Sequence, residues 1–181
     1  MPPKKPQAPL KKSRPLTYYQ MIIEMLKFLE VSIHTILFVR RVYPSELFAR
    51  RKKYDAPVYQ SRHPDLNKYI SDAVKAVGDE LTRVGGLLSF LSYGRNRINS
   101  LSYSPLITQQ GSVERVVIVI RDKDGVAMER FMFNFSGIPS IPQDAEWQKW
   151  QSIETVMTAA TLAQYFRSFL IRLELIEDQL G

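Results

Sequence analysis

Residues 113–135 read VERVVIVIRDKDGVAMERFMFNF, and this stretch decides the fold class. Its first arm, 113–120, is dominated by β-branched residues. Asp122, Lys123, Asp124 and Gly125 supply turn chemistry, and the return arm, 127–135, sets Met128 on the pleat face opposite Phe131, Phe133 and Phe135. The pattern predicts an antiparallel β-hairpin. A lone hairpin is marginal in water and needs a third strand or a covering helix, so the flanking sequence must supply the cover.

That flanking sequence reads as helices. Upstream, Ile22, Met25, Leu26, Leu29, Ile33, Ile36 and Leu37 recur at the helical period, with Thr17 placed to cap the helix two residues after Pro15. Phe28, Val31 and Phe38 lie off that stripe, which predicts a helix covered on more than half its circumference. Glu24, Lys27, Glu30 and His34 recur every three or four residues, so 21–39 is not a membrane span, which needs ~20 nearly uncharged residues. The chain then turns through Val42, Tyr43 and Pro44 and becomes extended over 56–60. Pro64 suits a first helical position, and Leu66, Ile70, Ala73, Val74, Val77 and Leu81 form one face of a second helix with Tyr69 at its margin. After the hairpin, a loop containing Gly137, Pro139 and Pro142 leads to a last helix over 153–178. Its stripe of Ala159, Leu162, Ala163, Phe166, Phe169, Leu170 and Leu173 is widened to nearly all sides by Tyr165, Ile171 and Leu175. The order of elements gives an α+β domain, three helices packed on an antiparallel sheet whose central layer reads as incomplete.

The 181 residues suffice for one domain of about 150 residues plus extensions. With 45% apolar and 24% charged residues the chain is globular in composition, and the absence of cysteine excludes disulfides, thiolate metal sites and cysteine nucleophiles. Of its 25 basic residues, Lys4, Lys5, Lys11, Lys12 and Arg14 stand in the first fifteen positions without an acid, leaving 20 against all 18 acids. Residues 1–15, with five of the eleven prolines, read as a disordered basic tail whose lysine pairs also fit a nuclear address. Residues 16–181 form the domain. Within it 84–112 has no sustained period, and three readings stand open: a partner-binding or membrane-touching loop, a disordered insertion, or translated intron sequence.

Catalytic constellations are missing. Neither G-x-x-x-x-G-K-[ST] nor G-x-G-x-x-G occurs. His34 reads as a helix-surface or satisfied buried residue, and His63, directly before Pro64, serves helix entry; a Ser-His-Asp set could be written around it, as around any lone histidine. No metal set is present, and Glu174, Glu177 and Asp178 read as the solvated end of the last helix. Arg50, Arg51, Lys52 and Lys53 are candidate phosphate contacts, with Tyr54 and Tyr59 as stacking candidates. The expectation is a non-enzyme without cofactors.

The tract FLEVSIHTILFVRRVYPSELFARRKKYDAPVYQSRHPDLNKYISDAV, followed by VERVVIVIRDKDG, VAMERFMFNF and YFRSFLIRL, resembles the HORMA-domain accessory subunits of translesion DNA polymerase zeta. VYPxxLFxRRKKYxxPV and HPxLNxYI carry most of the specificity. The resemblance implies a nuclear adaptor that captures a short, proline-containing peptide of the polymerase zeta catalytic subunit and supports translesion synthesis. It implies Tyr69 and Tyr43 as peptide-facing aromatics and Arg167, Arg172 and Glu177 as a HORMA–HORMA interface, giving a homo- or heterodimer. It also implies a further central strand and a C-terminal safety belt that carries the surface for the scaffold polymerase. Neither has a counterpart before Gly181, so a partial HORMA domain with impaired capture is expected. The alternatives are a spindle-checkpoint or meiotic-axis HORMA adaptor, distinguished by the captured peptide, and a nucleic-acid-binding protein using the tail and the run 50–53.

Overall fold

The computed structural model describes residues 14–82, 114–135 and 154–180, except for the side chains of 82, 154 and 176–180. The basic tail up to residue 13, the irregular segment 84–112 and the Gly137–Pro139–Pro142 loop lie outside the described residues. Strand β1 (Pro15–Thr17) leads into helix α1 (Tyr18–Val39); a 3-10 turn (Ser45–Leu47) precedes β2 (Phe48–Lys53) and β3 (Ala56–Ser61); then come α2 (Pro64–Thr82), β4 (Arg115–Arg121), β5 (Ala127–Asn134), β6 (Glu154–Thr158) and α3 (Ala159–Leu180).

Helix α1 is the axis of the domain. Thr17, in extended geometry, accepts from the Gln20 amide through Oγ1 at 3.3 Å while Gln20 Oε1 accepts from the Thr17 amide at 3.0 Å, a reciprocal capping box. Six consecutive positions, Ser32 to Leu37, are buried, which happens only when a helix is surrounded. The two hydroxyls in that run are satisfied within the helix: Ser32 Oγ donates to the Phe28 carbonyl and Thr35 Oγ1 to the Val31 carbonyl, both at 2.8 Å. At the far end Arg41 takes the left-handed conformation (φ 51°), its amide donating to Phe38 O and the next amide, Val42, to Leu37 O. This is a Schellman stop with arginine where glycine is usual.

Around this axis the helices and strands pack as three antiparallel ribbons, β1–β6, β2–β3 and β4–β5, among the described residues. The single sheet expected from the sequence is therefore divided. Two of its ribbons escaped the pattern reading. Arg50 to Lys53 form a strand, paired in regular register from Phe48↔Ser61 to Lys53↔Ala56. Residues 154–158 are a strand, not the first turn of the last helix, because Thr158 is the true N-cap: its Oγ1 accepts from the Thr161 amide at 3.1 Å. The hairpin predicted from 113–135 is present, its turn held by Asp122 Oδ1, which accepts from the amides of Asp124 and Val126 at 2.9 and 2.8 Å, with Gly125 at φ 82°.

Four elements meet in one aromatic cluster. Phe28 of α1 stacks on Phe166 of α3 with ring centres 4.1 Å apart and meets Phe169 and, from β5, Phe133 edge-on at 5.3 and 6.3 Å. Tyr54, from the β2–β3 turn, closes on Phe166 at 5.1 Å. Helix α2 approaches α1 closely at Gly78, where a Cβ would stand 2.7 Å from Leu26 Cδ1. Helix α3 buries Leu162, Phe166, Leu170 and Leu173, but Tyr165 (62% exposed), Ile171 and Leu175 (54%) face outward. The expectation that they extend its buried face is corrected: α1 occupies the interior position, so α3 needs only one covered side.

Candidate protein-interaction site

The sequence points to two tyrosines, and the fold places both at the margin of the core. Tyr43 follows the Schellman stop of α1, in the turn before β2. Tyr69 lies in the second turn of α2, started by Pro64 and by the His63 carbonyl, which accepts from the Asn67 amide at 3.0 Å. Each is half-buried and packs its ring body against the core. An aromatic ring in this setting presents apolar area and a polar tip at little entropic cost, the composition of a binding hot spot.

The junction that aims α2 is a short polar chain. His34, 4% exposed, accepts the Ser61 amide at Nδ1 (3.4 Å), and Ser61 Oγ accepts the His63 amide at 3.0 Å. Burial pushes the His34 imidazole down to about 4, so it is neutral and carries its proton on Nε2. Of the two roles the sequence left open, the satisfied buried one is observed. Burial likewise pushes Tyr18 up to about 12 and, with a smaller contribution from the charge of Glu24, Tyr54 up to about 12. Among the described residues no three His, Asp or Glu side chains converge as a metal site, and no helix is long and apolar enough to cross a membrane.

A second surface lies on α3. Arg167 and Arg172 are exposed there; the side chain of Glu177 is outside the described residues. Helical geometry puts Arg172 on one face with Tyr165, Ser168, Ile171 and Leu175, while Arg167 sits at its margin. The charge of Arg167 reaches Asp55 at the tip of the β2–β3 hairpin, whose carboxyl is held below the usual range by a hydrogen bond from Lys52, then by the charges of Lys52 and Arg167. The three outward apolar residues were missed as members of this surface, because only the tertiary packing tells which side of α3 is free.

The run 50–53 is exposed in full. Its two stacking candidates are not: Tyr59 stacks on Phe38 with ring centres 3.5 Å apart, and Tyr54 belongs to the aromatic cluster.

With this geometry in view, the profile of the HORMA domain matches residues 23–160. The chain belongs to the HORMA family. The resemblance read from residues 28–74 is borne out at that level. This HORMA chain is 31% identical over 163 residues to the mitotic spindle assembly checkpoint protein MAD2B of Bos taurus, covering 90% of the chain and 60% of the relative. It is 36% identical over 116 residues to the DNA polymerase zeta processivity subunit of Schizosaccharomyces pombe, covering 64% of the chain and 42% of the relative. The chain thus spans only part of the length of the relatives it matches. Among solved structures, a chain of a mitotic checkpoint complex is similar at a TM-score of 0.45 and 21% identity, over 63% of this chain and 49% of that one.

Proposed function

We propose that this HORMA chain is a non-enzymatic, nuclear adaptor that captures an extended, proline-containing peptide of a DNA polymerase zeta catalytic subunit and thereby serves bypass of DNA lesions. The observation that carries the reading is the 36% identity to a relative named for polymerase zeta. The geometry supports it in two ways. Tyr69 and Tyr43 offer half-buried rings at the core margin, and the β4–β5 ribbon, paired only with itself among the described residues, leaves backbone groups for strand addition. In that mode main-chain hydrogen bonds supply affinity and pockets for alternate side chains supply selection. The exposed face of α3, with Arg172 on it and Arg167 at its margin, is the surface for a second HORMA domain, and its apolar residues Tyr165, Ile171 and Leu175 would be covered there.

The test is binding of proline-containing peptides tiled along the polymerase zeta catalytic subunit, measured by fluorescence anisotropy on this chain and on the chain extended to the length of its relatives. Saturable binding of one segment supports the reading; no segment bound by either form refutes it. A second reading, a spindle-checkpoint adaptor, is favoured by the name of the Bos taurus relative. It shares the fold and predicts that checkpoint-protein peptides, not polymerase peptides, are retained.

A further inference from the structure

Exposure alternates along β5: Met128, Arg130 and Met132 face out, while Glu129 lies on the other face, where it pairs with Arg40, and Phe133 is buried. The ladder carries this alternation across to β4. Val117 stands opposite Met132, Val119 opposite Arg130 and the exposed Arg115 opposite Asn134, all on the outer face of the ribbon. Met128 and Met132 are 65% and 58% exposed. Exposed apolar residues standing singly are ordinary, but these four are contiguous, with Arg130 between the two methionines and Arg115 at one end. Among the described residues no acidic side chain of the two strands shares this face in the regular part of the ladder. The opposite face is the one that carries Phe133 into the aromatic cluster with α1 and α3.

We infer that the outer face of the β4–β5 ribbon is a docking surface for an acidic amphipathic helix of a partner protein. This goes beyond peptide capture and does not depend on it, since strand addition uses the edge of the ribbon and this contact uses its face. The face decides the form of the occupant. Backbone groups of the two strands lie in the plane of the ribbon, so the face offers side chains only, and an extended peptide laid on it would have backbone N–H and C=O groups covered without partners. A helix satisfies its own backbone and brings an apolar stripe to Val117, Val119, Met128 and Met132, where the two unbranched methionines adapt to its shape. Charge decides the flanks of that stripe. Arg115 and Arg130 stand roughly 13 Å apart along the ribbon, between two and three helical turns, so carboxylates at that spacing pair with both. From Arg115 to the level of Met128 the face is about 20 Å long, room for about 13 helical residues. A lipid surface would have to take in Arg130 together with the methionines on either side of it, whereas a helix sets a carboxylate against it.

The test is NMR of the full chain labelled at its methionine methyls and titrated with a synthetic helix of about 16 residues that carries a leucine stripe flanked by glutamates. One comparison peptide has lysine in place of each glutamate, and another has the same residues in an order that breaks the stripe. The readout is local, so attraction of glutamates to the basic tail does not enter it. The signals of Met128 and Met132, assigned through Met128→Leu and Met132→Leu, should shift saturably with the glutamate peptide and not with the other two. Arg130→Glu should weaken the glutamate peptide about 10-fold and let the lysine peptide bind, and Met132→Gln, read at the Met128 methyl, should weaken the glutamate peptide by a similar factor. Both side chains are exposed, so the circular dichroism spectrum and melting midpoint should not change. The inference is overturned if both methyl signals stay unmoved, if the stripe-broken peptide moves them equally, if Arg130→Glu leaves the affinities for both charged peptides as they were, or if vesicles of anionic lipid shift the signals and the glutamate peptide does not.

Discussion

Acidification will weaken this protein through His34 by an amount that the structure sets. The imidazole is buried between α1 and the end of β3 and used as an acceptor by the Ser61 amide, and burial brings it from 6.5 down to about 4. A group whose folded value is depressed stabilises the fold where it is neutral in both states, above about pH 6.5. Between about 6.5 and 4 the unfolded chain binds the proton and the folded chain does not, so stability falls with pH at up to about 1.4 kcal/mol per unit. From pH 7.5 to 4.5 the expected loss from this residue is about 2.5 kcal/mol. Because carboxylates titrate over the same range, the informative quantity is a difference. Urea unfolding of the wild type and of His34→Gln, whose side-chain oxygen can still accept from Ser61, should give free-energy curves that converge as the pH falls, by about 2.5 kcal/mol in total. Parallel curves would refute the assignment of a buried neutral imidazole.

Other perturbations follow from the packing. Phe28→Ala removes the ring on which Phe166 stacks and against which Phe133, Phe169 and Tyr54 close, so calorimetric or urea unfolding should show a loss of about 3–5 kcal/mol; a loss under 1 kcal/mol would contradict the cluster. Tyr54→Phe deletes a buried hydroxyl that finds no hydrogen-bond partner among the described residues, and should leave stability unchanged or raise it by up to about 1 kcal/mol in the same assay. Arg40, at the α1 C-cap, donates from Nε to Glu129 Oε1 of β5 at 2.9 Å and pairs with it through Nη2 as well. Glu129→Ala should cost about 1 kcal/mol at low salt and less at 1 M salt, measured as the urea midpoint; a cost independent of salt would mean that the pair acts by packing alone.

The parts of this fold that were legible are those in which local chemistry and tertiary need agree. Thr17 caps α1, Pro64 opens α2, and the alternation of 127–135 puts Phe133 and Phe135 inside and Met128 outside, as the pattern requires. Where tertiary packing outvotes local preference, the sequence is silent. The turn that makes β2 a strand has Tyr54 and Asp55 both at positive φ, a conformation tyrosine rarely adopts and holds here with its ring in the aromatic cluster. Four consecutive cations carry no apolar alternation, because side chains on both faces of β2 reach water over 50–53, so no period marks that stretch as a strand. Strand β6 hid within the apolar approach to α3, and its partner β1 is three residues long. At the candidate sites, Tyr69 and Tyr43 were nameable only through the family motifs, since a half-buried tyrosine on an amphipathic helix is equally a core residue. The charge of Arg167 acts on Asp55 from 112 positions away in the chain, and no local pattern encodes that.

The claim that this HORMA chain works by gripping another protein's extended segment is tested most directly by one comparison, the affinity of the retained polymerase zeta peptide for the wild type and for Tyr69→Ala. The account predicts affinity weaker by about 10- to 30-fold, as for a central aromatic anchor, with a melting midpoint within about 2 °C of the wild type. Equal affinity of the two proteins, or a Tyr69→Ala variant that loses binding only because it unfolds, would contradict it.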